Sequence, residues 1–407
     1  MRAMASVRAG VLAAVVLAIA AAASAQDTGP PYESARVAPV SAGVEFAGIF
    51  GPPDNTAFFN YTDYGSNALR VARVRLFGEW RPAAPLSFVG EVRIENARAV
   101  DLAALYVRWQ PFRARPLEFR AGRVPPLLGS FPRRAYGRDN VVLGTPLAYQ
   151  YVTSLRSDAL PATIDDLLRM RGRGWQPSYP IGSPELAPGV PLISIAEWDT
   201  GVEASWRQGV FDASLGYTQG APAVPVVHDR SRGWQWSGRL GATFKSGLAV
   251  GTSAALGAWL DDDVALLAAA PGVDARDQAV AGVDVEYGHG PWLTRAEWVY
   301  SRFSLPLVEY GGTELRLGAH SGYVEARYRV RPRVDIAMRL ERLSFSSVTG
   351  SNGVATSWEA PVTRVEVGAG FRVNRHFDLR GGWQHNWRPA GRVHSRGYPV
   401  VAVLWWY

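Results

Sequence analysis

From about residue 44 onward, apolar and polar side chains alternate with a period of two, in runs broken by Gly, Pro and Asn. Trp234–Phe244 sets Trp234, Trp236, Leu240 and Phe244 on one face and Gln235, Ser237, Arg239 and Thr243 on the other. Trp292–Phe303 sets Trp292, Ala296, Trp298 and Tyr300 against Arg295, Glu297 and Ser301. Pro361–Val373 sets Val365, Val367, Ala369 and Phe371 against Arg364, Glu366 and Arg372. Successive strand residues point to opposite faces, so each run predicts a strand with one apolar and one charged face. The predicted strands are Val44–Phe50, Arg70–Trp80, Ser87–Glu95, Asp101–Trp109, Leu117–Val124, Leu192–Trp206, Val210–Thr218 and Trp234–Phe244. They continue as Leu248–Leu260, Asp277–Tyr287, Trp292–Phe303, Leu317–Arg329, Val334–Phe345, Pro361–Val373, Phe377–Trp387 and Gly397–Tyr407. A soluble sheet hides its apolar face. So many charged faces in series fit the inverse arrangement, polar inside and apolar outside. Unpaired buried charges are costly, so this reading expects a water-filled interior.

The connections alternate in length. Arg81–Leu86, Gln110–Pro116, Arg207–Gly209, Lys245–Gly247, Gly288–Pro291, Val330–Arg333 and Asn374–His376 are short. Between them lie Gly51–Leu69, Pro125–Pro191, Gln219–Gly233, Asp261–Arg276, Ser304–Arg316, Ser346–Ala360 and Arg388–Arg396; only Asn96–Val100 in this second series is short. The pattern predicts an all-β fold. It is a transmembrane antiparallel up-and-down β-barrel of about 16 strands, with short periplasmic turns and long extracellular loops. No fixed repeat of the kind that marks a propeller or solenoid is present.

The two ends agree with export to a membrane. Arg2 and Arg8 precede an apolar run, Ala9 to Ala23, and Ala23-Ser24-Ala25 is a small-residue cleavage site. Residues 1–25 are therefore expected to be a cleaved signal peptide, and 26–43 a short periplasmic segment ahead of the barrel at 44–407. At the other end Val401, Val403, Trp405 and Tyr407 share one face. They resemble the C-terminal aromatic signal that the barrel assembly machinery recognises in the bacterial outer membrane.

Composition removes other classes. The chain is 47% hydrophobic and 19% charged, and later than the leader no apolar run approaches the roughly 18 residues of a spanning helix. A barrel hides its hydrophobicity in every second residue, so the mean hydropathy of −0.06 is no objection. There is no cysteine, which excludes a lipid anchor on Cys and any disulfide framework. The net charge of +7 becomes +5 without Arg2 and Arg8, and Lys245 is the single lysine. Arginines alternate with acids, which argues against a nucleic-acid partner. The expected partners are outer-membrane lipids and small ionic or polar solutes.

Function is expected where the strand pattern breaks. Pro125–Pro191 has little strand character and is the third external loop, a length usually reserved for function or disorder. Thr163 as N-cap, Asp165 and Asp166 in a first turn, Arg169 and Arg171 near the end, and Gly172 as stop predict one short helix. Its apolar face, Ile164, Leu167 and Leu168, is expected to dock on the barrel wall. Asp165 and Arg169 would then pair, and Asp165, Asp166 and Arg169 would face the lumen.

Just before this loop, Phe119-Arg-Ala-Gly-Arg-Val-Pro-Pro-Leu-Leu-Gly-Ser-Phe-Pro-Arg-Arg134 resembles a segment of the phosphate-selective porin O/P group. The resemblance implies a 16-stranded outer-membrane channel, often a homotrimer, with no cofactor. Arg120 and Arg123 in the motif strand, with Arg133, Arg134 and Arg138 after it, are candidates for a basic constriction. The lysine clusters of the phosphate-selective members are missing here. The loop carries seven arginines (133, 134, 138, 156, 169, 171, 173) against Asp139, Asp158, Asp165, Asp166 and Glu185, while the inferred inner wall is nearly neutral. A passive channel with a mild anion preference is therefore expected.

Two other classes share the architecture. A rim-active hydrolase needs a nucleophile–base or acid–His pair; no G-x-S-x-G or H-E-x-x-H occurs, and His228-Asp229 is the best fragment. Asp261-Asp262-Asp263 lacks the ligand spacing of a known calcium loop. A surface receptor or adhesin on a closed barrel would bind without conducting.

Overall fold

A computed structural model describes residues 39–407 apart from 63–65, 98, 113–115, 135–139, 141, 196–197, 226–228 and 232. Sixteen antiparallel strands close into one barrel in strict chain order. The first eight are β1 (Val40–Phe50), β2 (Arg70–Ala83), β3 (Leu86–Glu95), β4 (Ala99–Trp109), β5 (Leu117–Val124), β6 (Asp199–Gln208), β7 (Phe211–Gln219) and β8 (Trp234–Thr243). The rest are β9 (Leu248–Ala258), β10 (Asp277–His289), β11 (Trp292–Leu307), β12 (Thr313–Arg331), β13 (Val334–Phe345), β14 (Val362–Asn374), β15 (Phe377–Trp387) and β16 (Ser395–Trp406).

All sixteen predicted strands exist, with shifts of boundary, of which those of β1, β6 and the β11–β12 hairpin matter most. β1 starts at Val40, so residues 40–43 belong to the barrel and not to a preceding segment. β6 starts at Asp199, not Leu192. The stretch before it stays with the third loop, where Ile193 donates its N–H to Ala148 and Ser194 to Pro222. β11 and β12 run on to Leu307 and back to Thr313, a hairpin taller than the sequence suggested. The short β3–β4 connection is made by Asn96 and Ala97, both with positive φ. Two consecutive left-handed residues match the right-handed twist of a tight hairpin.

Closure is made by β1 and β16, paired from Glu45 opposite Trp406 to Phe50 opposite Val401, with Val44 and Tyr407 exchanging both backbone hydrogen bonds. On β16 the predicted face is confirmed: Val401, Trp405 and Tyr407 point outward and exposed, while Val400, Ala402 and Leu404 are buried inside. Aromatic pairs such as Trp80–Phe88, Trp109–Phe119 and Trp292–Tyr328 flank the short turns, and Tyr217–Trp234 stands near the long loops. Paired aromatics at both ends of an apolar band are the expected dress of a barrel in a bilayer.

The interior departs from the water-filled expectation. On β11 the inner face reads Arg295, Glu297, Val299, Ser301, Phe303, Leu305, so it turns from charged to apolar toward the long loops. Phe303, Leu305, Leu317, Leu343, Phe345 and Val400 pack with Trp358 and with Leu147, Leu155, Leu160 and Leu167 of the third loop into one buried cluster. The extracellular half of the barrel is thus filled by side chains, as a soluble core is.

Deleting Trp405–Tyr407 removes the β1–β16 pairs nearest the short turns and the bonds to Val44. The shortened chain is expected to lose the fast-migrating band that a closed barrel shows on an unboiled gel, which boiled and unboiled samples compared side by side will reveal.

Candidate functional site

The charged half of the interior is ordered by strand register. Glu286, Arg295, Glu325, Arg339, Glu366 and Gln384 stand directly opposite one another across β10 to β15. Signs alternate along this row. Arg295 reaches Glu286 at 2.5 Å and Glu325 at 3.5 Å; Arg339 reaches Glu325 at 3.2 Å and Glu366 at 2.9 Å; Gln384 donates to Glu366 at 2.6 Å. Opposite charges facing across a sheet stabilise the pairing, and a fully partnered charge can stay buried. Arg339, Glu325 and Glu366 are buried, so these three charges are neutralised by each other and not by water.

A second row lies two residues nearer the long loops: Asp284, Glu297, Tyr323, Glu341, Arg364 and Asn386. This row holds the third loop. Glu297 accepts from the Ser130 hydroxyl at 2.9 Å, from the N–H groups of Ser130 and Phe131, from the Tyr323 hydroxyl at 3.1 Å, and from the Tyr149 hydroxyl. Glu341 accepts the Leu147 N–H at 2.7 Å. Arg364 donates to Thr145 O at 2.9 Å and Gln150 Oε1 at 3.0 Å, and Arg339 to Gly144 O at 2.5 Å. Arg239, held by Asp284 through two bonds, donates to Gly129 O, and Arg380 donates to Asn140 O. Residues 129–131, 140 and 144–150 therefore lie inside the barrel against the inner faces of β8, β9 and β11 to β15.

The approach is close, and at Gly129 the positive φ adds a backbone reason for glycine. A Cβ on Gly129, whose φ is +68°, would lie 1.9 Å from the Tyr149 hydroxyl and 2.3 Å from Glu297. A Cβ on Gly144 would lie 2.1 Å from Glu366. Gly129 is the glycine of the Pro-Pro-Leu-Leu-Gly motif, so its presence has a steric reason.

The helix Ile164–Arg169 forms with Thr163 as N-cap, and Thr163 and Asp166 bond each other's backbone N–H in a capping box. Gly172 is left-handed, as expected of a stop, and its N–H donates to Glu359 at 2.5 Å. The placement of its charges differs from expectation. Asp165 does not pair with Arg169: its oxygens accept from the Ser351 N–H at 3.0 Å and the Ser351 hydroxyl, while Arg169 pairs with Asp166 at 2.5 Å. The Ile164 N–H donates to Glu309. The helix is fastened to the extracellular connections holding Glu309, Ser351 and Glu359, so Asp165, Asp166 and Arg169 stand at the mouth among those loops. Arg171 is half-buried. Arg120 is engaged by Glu118 at 2.6 Å and Glu203 at 3.4 Å, and Arg123 donates to Trp198 O and Leu102 O. The side chains of Arg133 and Arg134, with Arg138 as a whole, fall outside the described residues.

The residues that sequence reasoning missed are Glu297, Glu341 and Glu359, each ordinary alone. What marks the first two is a carboxylate on an inner face that is about to turn apolar. His228 also lies outside the described residues, and among the described residues no group of three or more His, Asp or Glu could hold a metal ion. Asp262 pairs with Arg276, and Asp262–Ala268 forms a helix.

No family model and no curated protein matches the sequence. Solved structures do match in shape. OmpT, an outer membrane protein of Vibrio cholerae, in a form lacking loop L8, is 12% identical with a TM-score of 0.54, over 90% of this chain and 99% of that one. An anion-selective porin from Comamonas acidovorans is 12% identical with a TM-score of 0.52, over 90% and 99%. The Salmonella typhi OmpF complex with daunomycin is 11% identical with a TM-score of 0.51, over 90% and 97%. This chain shares the porin fold. At such identities the likeness establishes architecture and leaves solute and selectivity to its own residues.

Asp261 joins the connection after β9 to the third loop: its N–H donates to Ser157 O at 2.9 Å, and its buried Oδ1 has no hydrogen-bond partner among the described residues. Burial first, then the charges of Asp158 and Asp229 opposed in part by Arg230, pushes its pKa up to about 7. A raised carboxyl pKa favours the neutral form in the folded state. The junction is therefore strongest in acid, weakens as pH rises from 3.8 to about 7, and changes no further above that. Proteolysis of the external loops in detergent should accelerate across this window. Asp261→Asn should flatten the profile.

Removing Arg339 would leave Glu325, Glu341 and Glu366 facing one another without their shared cation. Arg339→Met should cost about 3–5 kcal/mol of barrel stability, the usual penalty for breaking a buried pair from one side. Urea unfolding of the refolded barrel in lipid vesicles measures it.

Proposed function

We propose that the protein is an outer-membrane porin, a passive diffusion channel for small hydrophilic or ionic solutes that is not an enzyme. The carrying observation is the third loop bound through its backbone to two register-aligned rows of charge inside a closed barrel. Such fastening fixes a rigid constriction, since a loop held by charge-assisted hydrogen bonds to many strands cannot swing. Export through a cleaved leader, assembly through the Val401–Tyr407 strand and association as a homotrimer complete this reading.

On the same reading, exposed arginines at the periplasmic mouth add to a mild anion preference. Arg120 is engaged by acids, whereas Arg329 and Arg372, on the inner-facing parity of β12 and β14, are 55% and 42% exposed and only loosely paired, each 3.7 Å from an aspartate. Arginine keeps its charge across the accessible pH range, so the bias is insensitive to pH. A dedicated phosphate site has no support in this arrangement.

The buried apolar cluster of the extracellular half favours one second reading, a non-conducting receptor that binds at its loops. Planar-bilayer recording separates the two. Purified protein is expected to form channels. Glu297→Ala, which releases Ser130, Phe131 and Tyr149, should raise single-channel conductance, and Arg329→Glu with Arg372→Glu should move the reversal potential toward cations. The second shift should shrink at 1 M salt, where the Debye length is about 3 Å. Absence of channels in correctly folded protein would leave the receptor reading standing.

A further inference from the structure

The outward surface of β10 to β13 is not a smooth apolar band. Val283, Val285, Trp298, Gly322, Leu340 and Arg342 line a trough of about 440 Å³. Gly322 stands opposite Trp298 on β11 and opposite Arg342 on β13, so the trough has a bare backbone floor between a tryptophan and an arginine. On the extracellular side of this row His320 lies between two aromatic rings, 5.7 Å from that of Trp298 and 4.8 Å from that of Tyr300. Arg302 follows on the same face of β11.

Arg342 is oddly placed for a lipid-facing residue. Among the described residues it has no carboxylate partner; it donates to the Thr363 hydroxyl. Arg302 has Glu314 nearby, but Glu314 is already engaged by Arg316 at 2.7 Å. A cation on the lipid face of a barrel is unfavourable in hydrocarbon and tolerable near the interface, where it can meet an anion. The guanidinium fork matches a phosphate, and tryptophan and tyrosine beside a cation are the side chains favoured near headgroups. An occupant must therefore supply an apolar chain below and a phosphate above.

We propose that this face binds an acylated, phosphate-bearing lipid of the extracellular leaflet. Its chain lies in the trough over Gly322, and its phosphate sits on Arg342 with Arg302 and His320 beside it. The assignment rests on the reading of the protein as an outer-membrane barrel.

The test uses purified full-length barrel in mild detergent. The probes are lipid A (a phosphorylated, acylated glucosamine disaccharide), its dephosphorylated form and inorganic phosphate. Native mass spectrometry reads retained lipid, and the temperature at which the fast-migrating gel band is lost reads stabilisation. Lipid A should be retained and should raise that temperature, while inorganic phosphate should do neither. Dephosphorylation, or Arg302→Ala with Arg342→Ala, should weaken retention about tenfold, the loss expected of a charge-assisted contact. Gly322→Leu should weaken it independently. A Cβ there meets Trp298 at 3.5 Å and Glu297 O at 3.6 Å, both ordinary contacts, so that variant should fold. Equal retention by wild type and all variants overturns the proposal, as does cross-linking of two copies through this face with lipid excluded. Those results would leave channel formation intact; failure of the wild type to insert into vesicles would instead sink the outer-membrane reading.

Discussion

The interior of this barrel depends on strand register. Arg339 can lie fully buried only because Glu325 and Glu366 are its immediate cross-strand neighbours and Glu341 lies on its own face. A slip of one residue in β13 would turn Arg339 and Glu341 outward and bring Met338, Leu340 and Arg342 in, leaving Glu325 and Glu366 without their cation. Register is therefore fixed twice, by lipid on the apolar face and by charge pairing on the other.

The same rows govern the third loop. Backbone N–H groups crossing the middle of a barrel need acceptors, and Glu297, Glu341 and Glu366 supply them; carbonyls need donors, and Arg239, Arg339, Arg364 and Arg380 supply those. Each wall charge thus serves two purposes, pairing along the wall and satisfying the inserted chain. At 129 and 144 the chain lies close against the carboxylates, and a side chain there would displace Glu297 or Glu366 from its bonds. Toward the extracellular end the wall changes to Phe, Leu and Val, and the later part of the loop packs there by burial of apolar surface.

Two kinds of function compete in such an interior. A rigid, charge-fastened loop suits a constriction, whereas a packed extracellular half suits a closed barrel that acts through its loops. At the junction of the connection after β9 with the third loop, Asp158 and Asp229 of separate connections face the buried carboxyl of Asp261, which makes that junction sensitive to proton activity.

Period-two alternation alone determined the sixteen strands, their in–out facing and the alternation of short and long connections, because lipid outside and charge inside impose opposite demands on neighbouring residues. Thr163 and Gly172 were legible as cap and stop, since capping is a local matter of backbone and adjacent side chains. The depth of the loop, the partner of Asp165 and the identity of Glu297 as its anchor were not legible. Ser351 is 186 residues from Asp165, and Tyr149 is 148 from Glu297. Such pairs are set by barrel closure and strand stagger, which place distant residues side by side. Arg120 looked like part of a basic constriction in the sequence; only the tertiary structure showed that it is paired with Glu118 and Glu203, because cross-strand distance decides whether a charge is free.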